Sequence, residues 1–232
     1  PTPNHGLPRF RKCSFAAAYP FGQVFLSDPD VPVDVRIEAF NPLVPADAEA
    51  SGIPVAVLRF VLTNRTAKTV AASVCGNLPN FIGADGSSPG VDGFTKEKDY
   101  SHGPKANRNE FRQSGRLSGL FMCSEGVPPT AEQWGTLALV ALSPRTATYR
   151  TGWAQLSWGD SLLDYWDDFS DDGELDERDA AGVDSPVGSL AVKLRIPARA
   201  TREVTFLLTW HFPNRQTWTP KQADAACCDE GC

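Results

Sequence analysis

The chain has 232 residues, enough to bury a substantial core, and its 41% hydrophobic and 22% charged residues are ordinary for a globular domain. Its net charge of −6 is local, because residues 160–184 hold eleven acidic residues and one arginine while the rest is slightly basic. There is no basic–aromatic stripe and no apolar run of the roughly 18 residues that a membrane helix needs, so we expect no nucleic-acid partner and no transmembrane segment.

The first third of the chain predicts strands. Phe10–Leu26 is rich in aromatic and small residues and predicts one or two strands broken at Pro20. Val33–Ala39 alternates apolar and charged residues, which is typical of a half-buried strand. The next strand, Val55–Leu62, is apolar on both faces, so we expect it to lie centrally in the sheet. Three prolines exclude the intervening residues 41–54 from the sheet.

The later segments continue the pattern. A third strand is predicted over Thr69–Cys75, followed by a long irregular segment over Gly83–Gly119 in which short strands are allowed at Asp99–His102 and Gly119–Cys123. Gly135–Leu142 and Thr146–Trp153 predict a hairpin, while Gly188–Ile196 and Glu203–His211 alternate as strands. Between these groups, residues 156–166 allow one helical turn, and no longer amphipathic helix is predicted.

These elements predict an all-β protein, a large two-sheet antiparallel β-sandwich over residues 1–215. Residues 216–232 are polar and predict the start of an interdomain linker. The chain begins with Pro1 rather than Met, so we expect it to be a piece of a longer protein. The predicted core consists of the alternating apolar residues Val35, Ile37, Leu58, Phe60, Leu194, Phe206 and Leu208.

Cysteine and tryptophan positions suggest structure more than chemistry. Cys13, Cys75 and Cys123 are isolated, and we expect buried structural thiols there. The tail cluster Cys227, Cys228 and Cys232 lacks the spacing of a zinc site, which leaves its role open. The six tryptophans could form a sugar-stacking platform or pack at a domain interface, and we favour the interface. They are Trp134, Trp153, Trp158, Trp166, Trp210 and Trp218.

Two short motifs are weak indicators of function. Residues 86–90 match the GxSxG pattern of serine hydrolases, but the oxyanion donor of that motif would be the amide of Pro89, which has no hydrogen. Asn64-Arg65-Thr66 is a glycosylation sequon that is equally explained as a turn between strands. We expect neither motif to carry function, and no residue of the chain is predicted to be catalytic or to bind a cofactor.

The acidic segment offers one candidate metal site. Oxygen-bearing side chains fall at positions one, three, five, nine and twelve from Asp168, with Gly173 at position six, which is the spacing of a twelve-residue calcium loop. The last ligand is Asp rather than the usual Glu, and the alternative is a solvated loop. The candidate calcium ligands are Asp168, Ser170, Asp172, Asp176 and Asp179.

Several stretches taken together resemble a known family. They are Tyr19-Pro20-Phe21, Leu26 with Asp28, Pro32-Val33-Asp34-Val35, Glu38-Ala39-Phe40-Asn41-Pro42, Pro45, Ser51, Ile53-Pro54, Phe60, Thr63-Asn64, Gly76-Asn77, Trp166, Phe169, Gly173-Glu174-Leu175, Phe206-Leu207-Leu208-Thr209-Trp210 and Phe212-Pro213-Asn214. This order of residues resembles the N-terminal domain of glycoside hydrolase family 116, the family of the non-lysosomal glucosylceramidase and bacterial β-glucosidases. The resemblance covers residues 15–214.

The resemblance implies a β-sandwich that packs on a following (α/α)6 barrel. In this family the barrel carries the acid and the nucleophile of a retaining mechanism and binds the β-glucoside or glycosphingolipid substrate. No carboxylate of this chain matches either role. The resemblance therefore implies a non-catalytic domain whose partner is the catalytic domain of the same chain, within a parent protein that is an enzyme.

Two functions remain open on this evidence. The chain is either a domain that supports a glycosidase barrel or an independent carbohydrate-binding module. The first predicts a broad apolar docking patch, which we expect near Trp153, Trp158, Phe212 and the loop Asn41–Ile53. The second predicts a sugar-sized aromatic platform. No cofactor is required by either, and calcium is the one ion that the sequence suggests.

Overall fold

The computed structural model describes residues 6–84, 103–142, 146–178 and 182–216. These residues form eleven strands and two helices. In chain order they are β1 (Lys12–Ala18), β2 (Phe21–Ser27), β3 (Val33–Phe40), α1 (Ala48–Ser51), β4 (Val55–Asn64), β5 (Val70–Pro79), β6 (Asn107–Ser114), β7 (Leu117–Ser124), β8 (Thr136–Leu142), β9 (Ala147–Arg150), α2 (Asp160–Asp172), β10 (Val187–Ile196) and β11 (Thr201–His211).

Two antiparallel sheets of unequal size face each other. The large sheet has eight strands in the order β1-β2-β3-β4-β11-β8-β7-β6, and the small sheet has three in the order β5-β10-β9. Strand accounts for 49% of the described residues and helix for 9%. The predicted all-β sandwich is confirmed, and the central position predicted for β4 is confirmed by its pairing with both β3 and β11.

Two predictions about the strands are wrong. The predicted hairpin between residues 135–142 and 146–153 does not form, because β8 is apolar on both faces and lies inside the large sheet between β11 and β7. Strand β9 pairs with β10 in the small sheet instead. The segment predicted as irregular over residues 83–119 contains β6, whose many polar and charged residues suit an edge strand.

The core lies between the two sheets, where side chains of alternate residues meet. Phe206 is 2% exposed and its ring meets Phe60 edge-on at 5.8 Å, which confirms it as a core residue. Of the other predicted core residues, Val35, Leu58, Phe60 and Leu194 are partly buried and pack against the cluster of buried residues that includes Phe206. Ile37 and Leu208 point to the same side but are only half-buried and lie outside it.

Helix α2 corrects the prediction that no useful helix exists. Its apolar residues Leu162, Tyr165, Trp166 and Phe169 recur at helical spacing and pack as one cluster, while its six aspartates lie between them and at the helix ends. The helix ends at Gly173, which has a φ of +81° and donates its N–H to the Phe169 carbonyl at 2.9 Å. A Cβ at this position would lie 2.4 Å from the Ser73 hydroxyl, so glycine also allows the helix to approach β5 closely.

A buried arginine fixes α2 to the outer side of the small sheet. The Arg150 side chain is fully buried, and its terminal nitrogens lie 2.9 Å from a carboxylate oxygen of Asp164 and 2.7 Å from one of Asp168. Its Nε donates to the Asp176 carbonyl at 3.0 Å. The ring of Tyr165 stacks on Trp153 beside it, with centroids 4.9 Å apart. Because the guanidinium has several charged and neutral partners, its burial is compensated.

The three described cysteines differ in environment. Cys13 is exposed on β1, so the prediction of a buried thiol there is wrong, because none of the described elements packs over β1. Cys75 is partly buried, and desolvation raises the pKa of its thiol to about 11. Desolvation also raises the pKa of Cys123.

Replacing Phe206 by alanine should lower the free energy of unfolding by about 3–5 kcal/mol, because a large, fully packed side chain is lost from the core. Urea unfolding monitored by circular dichroism measures the loss. The matched control is Leu117→Ala, whose side chain is exposed and should change stability by less than about 0.5 kcal/mol. Equal effects of the two substitutions would contradict the assignment of the core.

Alkylation at pH 8 should separate the thiols. The thiolate is the reactive form, so Cys13 should react with iodoacetamide quickly, whereas Cys75, with a pKa of about 11, should stay unmodified until the chain unfolds. Peptide mass mapping gives the rate at each site, and labelling in denaturant is the control in which both react alike. If Cys75 of the folded chain were labelled as fast as Cys13, the assignment of Cys75 as a buried thiol would be wrong.

Candidate functional site

Strand register brings several separate loops to one end of the large sheet. Strands β1, β3, β7 and β11 finish at this end, and β2, β4, β6 and β8 begin there. The turn 19–20, the loop 41–54 and residues 212–216 after β11 therefore lie side by side. Phe81, which follows β5, joins them by stacking on Phe212 with ring centroids 6.3 Å apart.

This end is unusually apolar for a set of turns. Among the described residues, seven of the thirteen exposed large hydrophobic side chains lie here. They are Tyr19, Phe21, Phe40, Leu43, Val44, Ile53 and Phe81, and we call this surface the apolar end. Tyr19 is 88% exposed, and Phe21 and Phe40 contact each other with centroids 5.8 Å apart. Turns are normally polar, so an apolar cluster of this size indicates an interaction surface.

The loop 41–54 is held in place by polar contacts. Asp47 caps helix α1 by accepting the N–H of Ala50 at 2.9 Å, and the Ser51 hydroxyl bonds to the N–H and the carbonyl of Val44 at 2.9 and 3.0 Å. At the base of the loop, the Asn41 side chain donates to the Val55 carbonyl at 3.1 Å. The loop is therefore ordered while its apolar side chains point to solvent, which reduces the entropy cost of binding a partner.

A shallow cleft of about 450 Å³ opens beside the loop. Its walls come from the start of β4, the end of β11 and the segment after β5, and Gly135 allows the Phe212 ring to pack close to β8. The lining residues are Pro54, Phe81, Ala84, Gln133, Trp210, His211, Phe212 and Arg215. Three aromatic rings with an imidazole, an amide and a guanidinium can offer both stacking and hydrogen bonds.

The outer face of the large sheet has a different character. Arg59 pairs with Glu38 at 3.1 Å and with Glu203, and Arg36 pairs with Glu38 at 2.9 Å. These residues form a row of exposed ion pairs across the middle of β3, β4 and β11. Such a row is typical of a solvated surface, so the apolar end is the better candidate for a contact.

Only some of the residues predicted to form the docking patch lie at the apolar end. Phe212 and the loop 41–53 lie at the apolar end, whereas Trp153 packs under α2 and donates its indole N–H to the Ser189 hydroxyl at 2.8 Å. Trp166 belongs to the same packed cluster, and Trp158 is 95% exposed beyond β9. Sequence analysis missed Tyr19, Phe40 and Phe81, although large apolar residues beside turn prolines were a usable signal.

The predicted calcium ligands adopt a different local structure. Asp168, Ser170 and Asp172 lie in the last turns of α2, so the loop conformation expected over 168–172 is wrong. Asp168 is held by Arg150, and Asp172 accepts the Glu174 N–H at 2.8 Å. No three His, Cys, Asp or Glu side chains of the described ranges come together as metal ligands. Asp179 lies outside those ranges, and calcium binding stays a prediction.

Of the two short motifs, the Asn64 sequon lies within the described residues and the GxSxG match does not. The Asn64 side chain is 1% exposed, and its amide donates to the carbonyls of Lys68, Ile196 and Pro197 at 2.7 to 3.0 Å. This buried amide cannot accept a glycan in the folded chain, and the residue serves the turn, as expected. Residues 86–90, Trp218 and the cysteine cluster of the tail lie outside the described residues. Within the described part, no helix is long and apolar enough to cross a bilayer.

The fold is that of a two-sheet β-sandwich domain that carries an exposed apolar surface at one end. Residues 3–225 match the family model described as beta-glucosidase 2, glycosyl-hydrolase family 116 N-term. Because the match spans nearly the whole chain, the protein belongs to this family of glycoside hydrolase N-terminal domains. The resemblance found in the sequence is confirmed.

No curated protein matches the chain. A solved structure described as a kojibiose phosphorylase from the human microbiome is 13% identical, with a TM-score of 0.41. The alignment covers 89% of this chain but 20% of that one, so this chain spans about a fifth of the length of that protein. A similarity this distant carries no information on function.

The calcium prediction is tested by thermal unfolding. If the site at Asp168–Asp179 binds calcium, millimolar calcium should raise the Tm, because a ligand that binds only the folded state stabilises it. Asp172→Ala should lose this response, and magnesium at the same concentration controls for ionic strength. An unchanged Tm with calcium in both chains would mean that the acidic segment is solvated.

Proposed function

We propose that this chain is a non-catalytic domain of a glycoside hydrolase and packs through its apolar end against the catalytic domain of the same polypeptide. The supporting observation is the cluster of exposed apolar side chains at the end where β11 finishes. Membership of a family of N-terminal domains implies that a catalytic domain follows in the parent enzyme. A domain that follows β11 starts from this end of the sandwich.

The chemistry of the described residues supports a non-catalytic role. Retaining glycoside hydrolysis needs two carboxyl groups roughly 5 Å apart that flank the scissile bond in a cleft. Asp164 and Asp168 are brought together, but both are ion-paired with the buried Arg150 and serve the packing of α2. The cleft at the apolar end is lined by aromatic and cationic side chains without a carboxylate.

The order of the loop 41–54 favours docking over a mobile connection. Its polar contacts fix Leu43, Val44 and Ile53 in exposed positions, where burying each against a partner would add roughly 1.5–3 kcal/mol. The proposed substrates of the parent enzyme are β-glucosides or glycosphingolipids, bound by the catalytic domain. The alternative of a carbohydrate-binding module is supported by the aromatic cleft, which is large enough for a sugar ring.

The docking proposal predicts that the double substitution Val44→Asp and Ile53→Asp in the parent enzyme separates the two domains. Charged groups at the centre of an apolar contact are left unpaired, so calorimetry should show two unfolding transitions in place of one. The matched control is Leu117→Asp, an exposed apolar residue at the opposite end of the sheet. A single unchanged transition in the double variant would contradict docking through the apolar end.

The same proposal is checked by activity and by sugar binding. The purified 232-residue chain should release no aglycone from an aryl β-glucoside, while the parent enzyme does. The tryptophan fluorescence of this purified chain should not respond to a soluble glucan, because the cleft beside Trp210 is a docking surface and not a sugar site under this proposal. A saturable response that Phe81→Ala abolishes would favour the carbohydrate-binding module instead.

A further inference from the structure

The turn before α2 holds a tryptophan out in solvent. Trp158 is 95% exposed, the highest value among the exposed large hydrophobic side chains of the described residues, and Leu156 beside it is 51% exposed. Trp158 has a φ of +57° and Gly159 has a φ of +90°. The Asp160 N–H donates to the Ser157 carbonyl at 3.0 Å across these two residues. Two consecutive positive φ angles closed by such a hydrogen bond are the pattern of a type I′ turn.

Tryptophan is an unfavourable residue at this position of the turn. Both central positions of a type I′ turn favour glycine, asparagine or aspartate, because a positive φ brings the Cβ of other residues too close to the backbone. A bulky residue with such a φ costs folding free energy. The turn is nevertheless ordered, since the Ser161 hydroxyl accepts the Leu156 N–H at 3.0 Å and donates to the Leu156 carbonyl at 3.3 Å. A strained, ordered turn that exposes an indole indicates a contact residue.

The turn lies toward the end of the small sheet where β5 finishes. Helix α2 packs on the outer side of this sheet, where Gly173 after its last turn approaches Ser73 and Tyr165 in its middle packs against Cys75. The N-terminus of the helix and the turn before it are therefore directed toward the end of β5. The chain that leaves β5 enters the apolar end two residues later. A partner that docks on the apolar end thus meets the same end of the sandwich as this turn.

The helix surface that continues from the turn is acidic. Asp160, Asp167 and Asp171 are separated by seven and four residues, so they lie on one stripe of α2, opposite its buried side chains. All three are exposed, and none of them pairs with a cation of the described residues. An exposed indole beside unpaired carboxylates complements an apolar pocket flanked by lysine or arginine side chains. The same charge disfavours contact with an anionic membrane.

We infer that Trp158 anchors this domain to the catalytic domain of the parent enzyme by inserting into an apolar pocket that basic side chains flank. Buried aromatic anchors carry much of the binding energy of protein interfaces, because the pocket removes them fully from water. Burial of the indole offsets the cost that the turn imposes on the fold. The inference rests on the proposed function in naming the catalytic domain as the partner, and it adds a contact outside the apolar end.

Hydroxyl-radical footprinting of this chain and of the parent enzyme tests the inference. Trp158 should be oxidised about tenfold more slowly in the parent enzyme, as expected for a side chain that a pocket removes from water. Leu117, at the opposite end of the large sheet, is the control and should react alike in both proteins. Equally fast oxidation of Trp158 in the two proteins would overturn the inference.

The same experiment separates this inference from the proposed docking, which Tyr19 reports. Protection of Tyr19 without Trp158 would leave the docking through the apolar end intact and overturn the anchor. Protection of Trp158 without Tyr19 would support the anchor and contradict that docking. If Trp158 of this chain alone became protected at high protein concentration or with phosphatidylcholine vesicles, its partner would be a second copy or a lipid surface, and the inference would be wrong.

Neutralising the acidic stripe tests the chemistry of the partner. Asp160→Asn with Asp167→Asn in the parent enzyme should make oxidation of Trp158 faster at low salt, because the attraction to the basic side chains is lost. The matched control is Glu110→Gln, which removes an exposed acid from the outer face of the large sheet and should leave the oxidation unchanged. Unchanged protection in the double variant would overturn the assignment of a basic partner.

Replacing Trp158 by asparagine separates the cost of the turn from the gain of the contact. In this chain Trp158→Asn places a favoured residue before Gly159, so the Tm should rise by roughly 1–4 °C. In the parent enzyme the same substitution should lower the Tm of this domain, because the anchor is lost. Leu117→Asn, a matched change of an exposed residue, should leave both values nearly unchanged. A rise of equal size in the two proteins would show that Trp158 makes no contact there.

Discussion

The structure depends on a mismatch between its two layers. Strand β10 of the small sheet contacts β4, β11, β8 and β7 of the large sheet, so the strands of the small sheet lie across those of the large sheet. The small sheet can cover only part of the large one, and the core forms where they overlap, around Phe206, Leu139 and Leu190. In the described part of the chain no element covers β1, which is exposed along its whole length, and β2 carries apolar residues on both faces. The described residues therefore expose more apolar surface than the described elements cover.

The small sheet is stable with only three strands because its outer face is packed as well as its inner face. Helix α2 lies on that face, held by apolar contacts of Tyr165 and Phe169 and by the ion pairs of Arg150. A guanidinium without partners at this depth would be very costly, so the acidic residues of α2 are required by the fold. The local negative charge of the sequence thus has a structural cause on the inner side of the helix, while its other aspartates face solvent.

Sequence patterns predicted the strands well where alternation is strong. The register of β3 with β4 and the inward set of β10 follow from residues such as Val35, Leu194 and Ile196. Helix α2 was missed because its many aspartates hide an apolar stripe of four residues. The apolar end could be predicted only in part, since Tyr19, Phe40 and Phe81 are far apart in sequence and meet only through the antiparallel register. The partner of β8 was mispredicted because proximity in sequence does not decide which sheet a strand joins.

The central claim is that the exposed apolar surfaces of this domain are covered within the parent enzyme. A cryo-EM or crystal structure of that enzyme measures this directly, through the solvent exposure of Tyr19, Val44 and Ile53. The account predicts that these side chains, exposed in the domain by itself, are buried against the catalytic domain. If they face solvent in the intact enzyme and the two domains meet through the ion-paired outer face of the large sheet, the account is wrong.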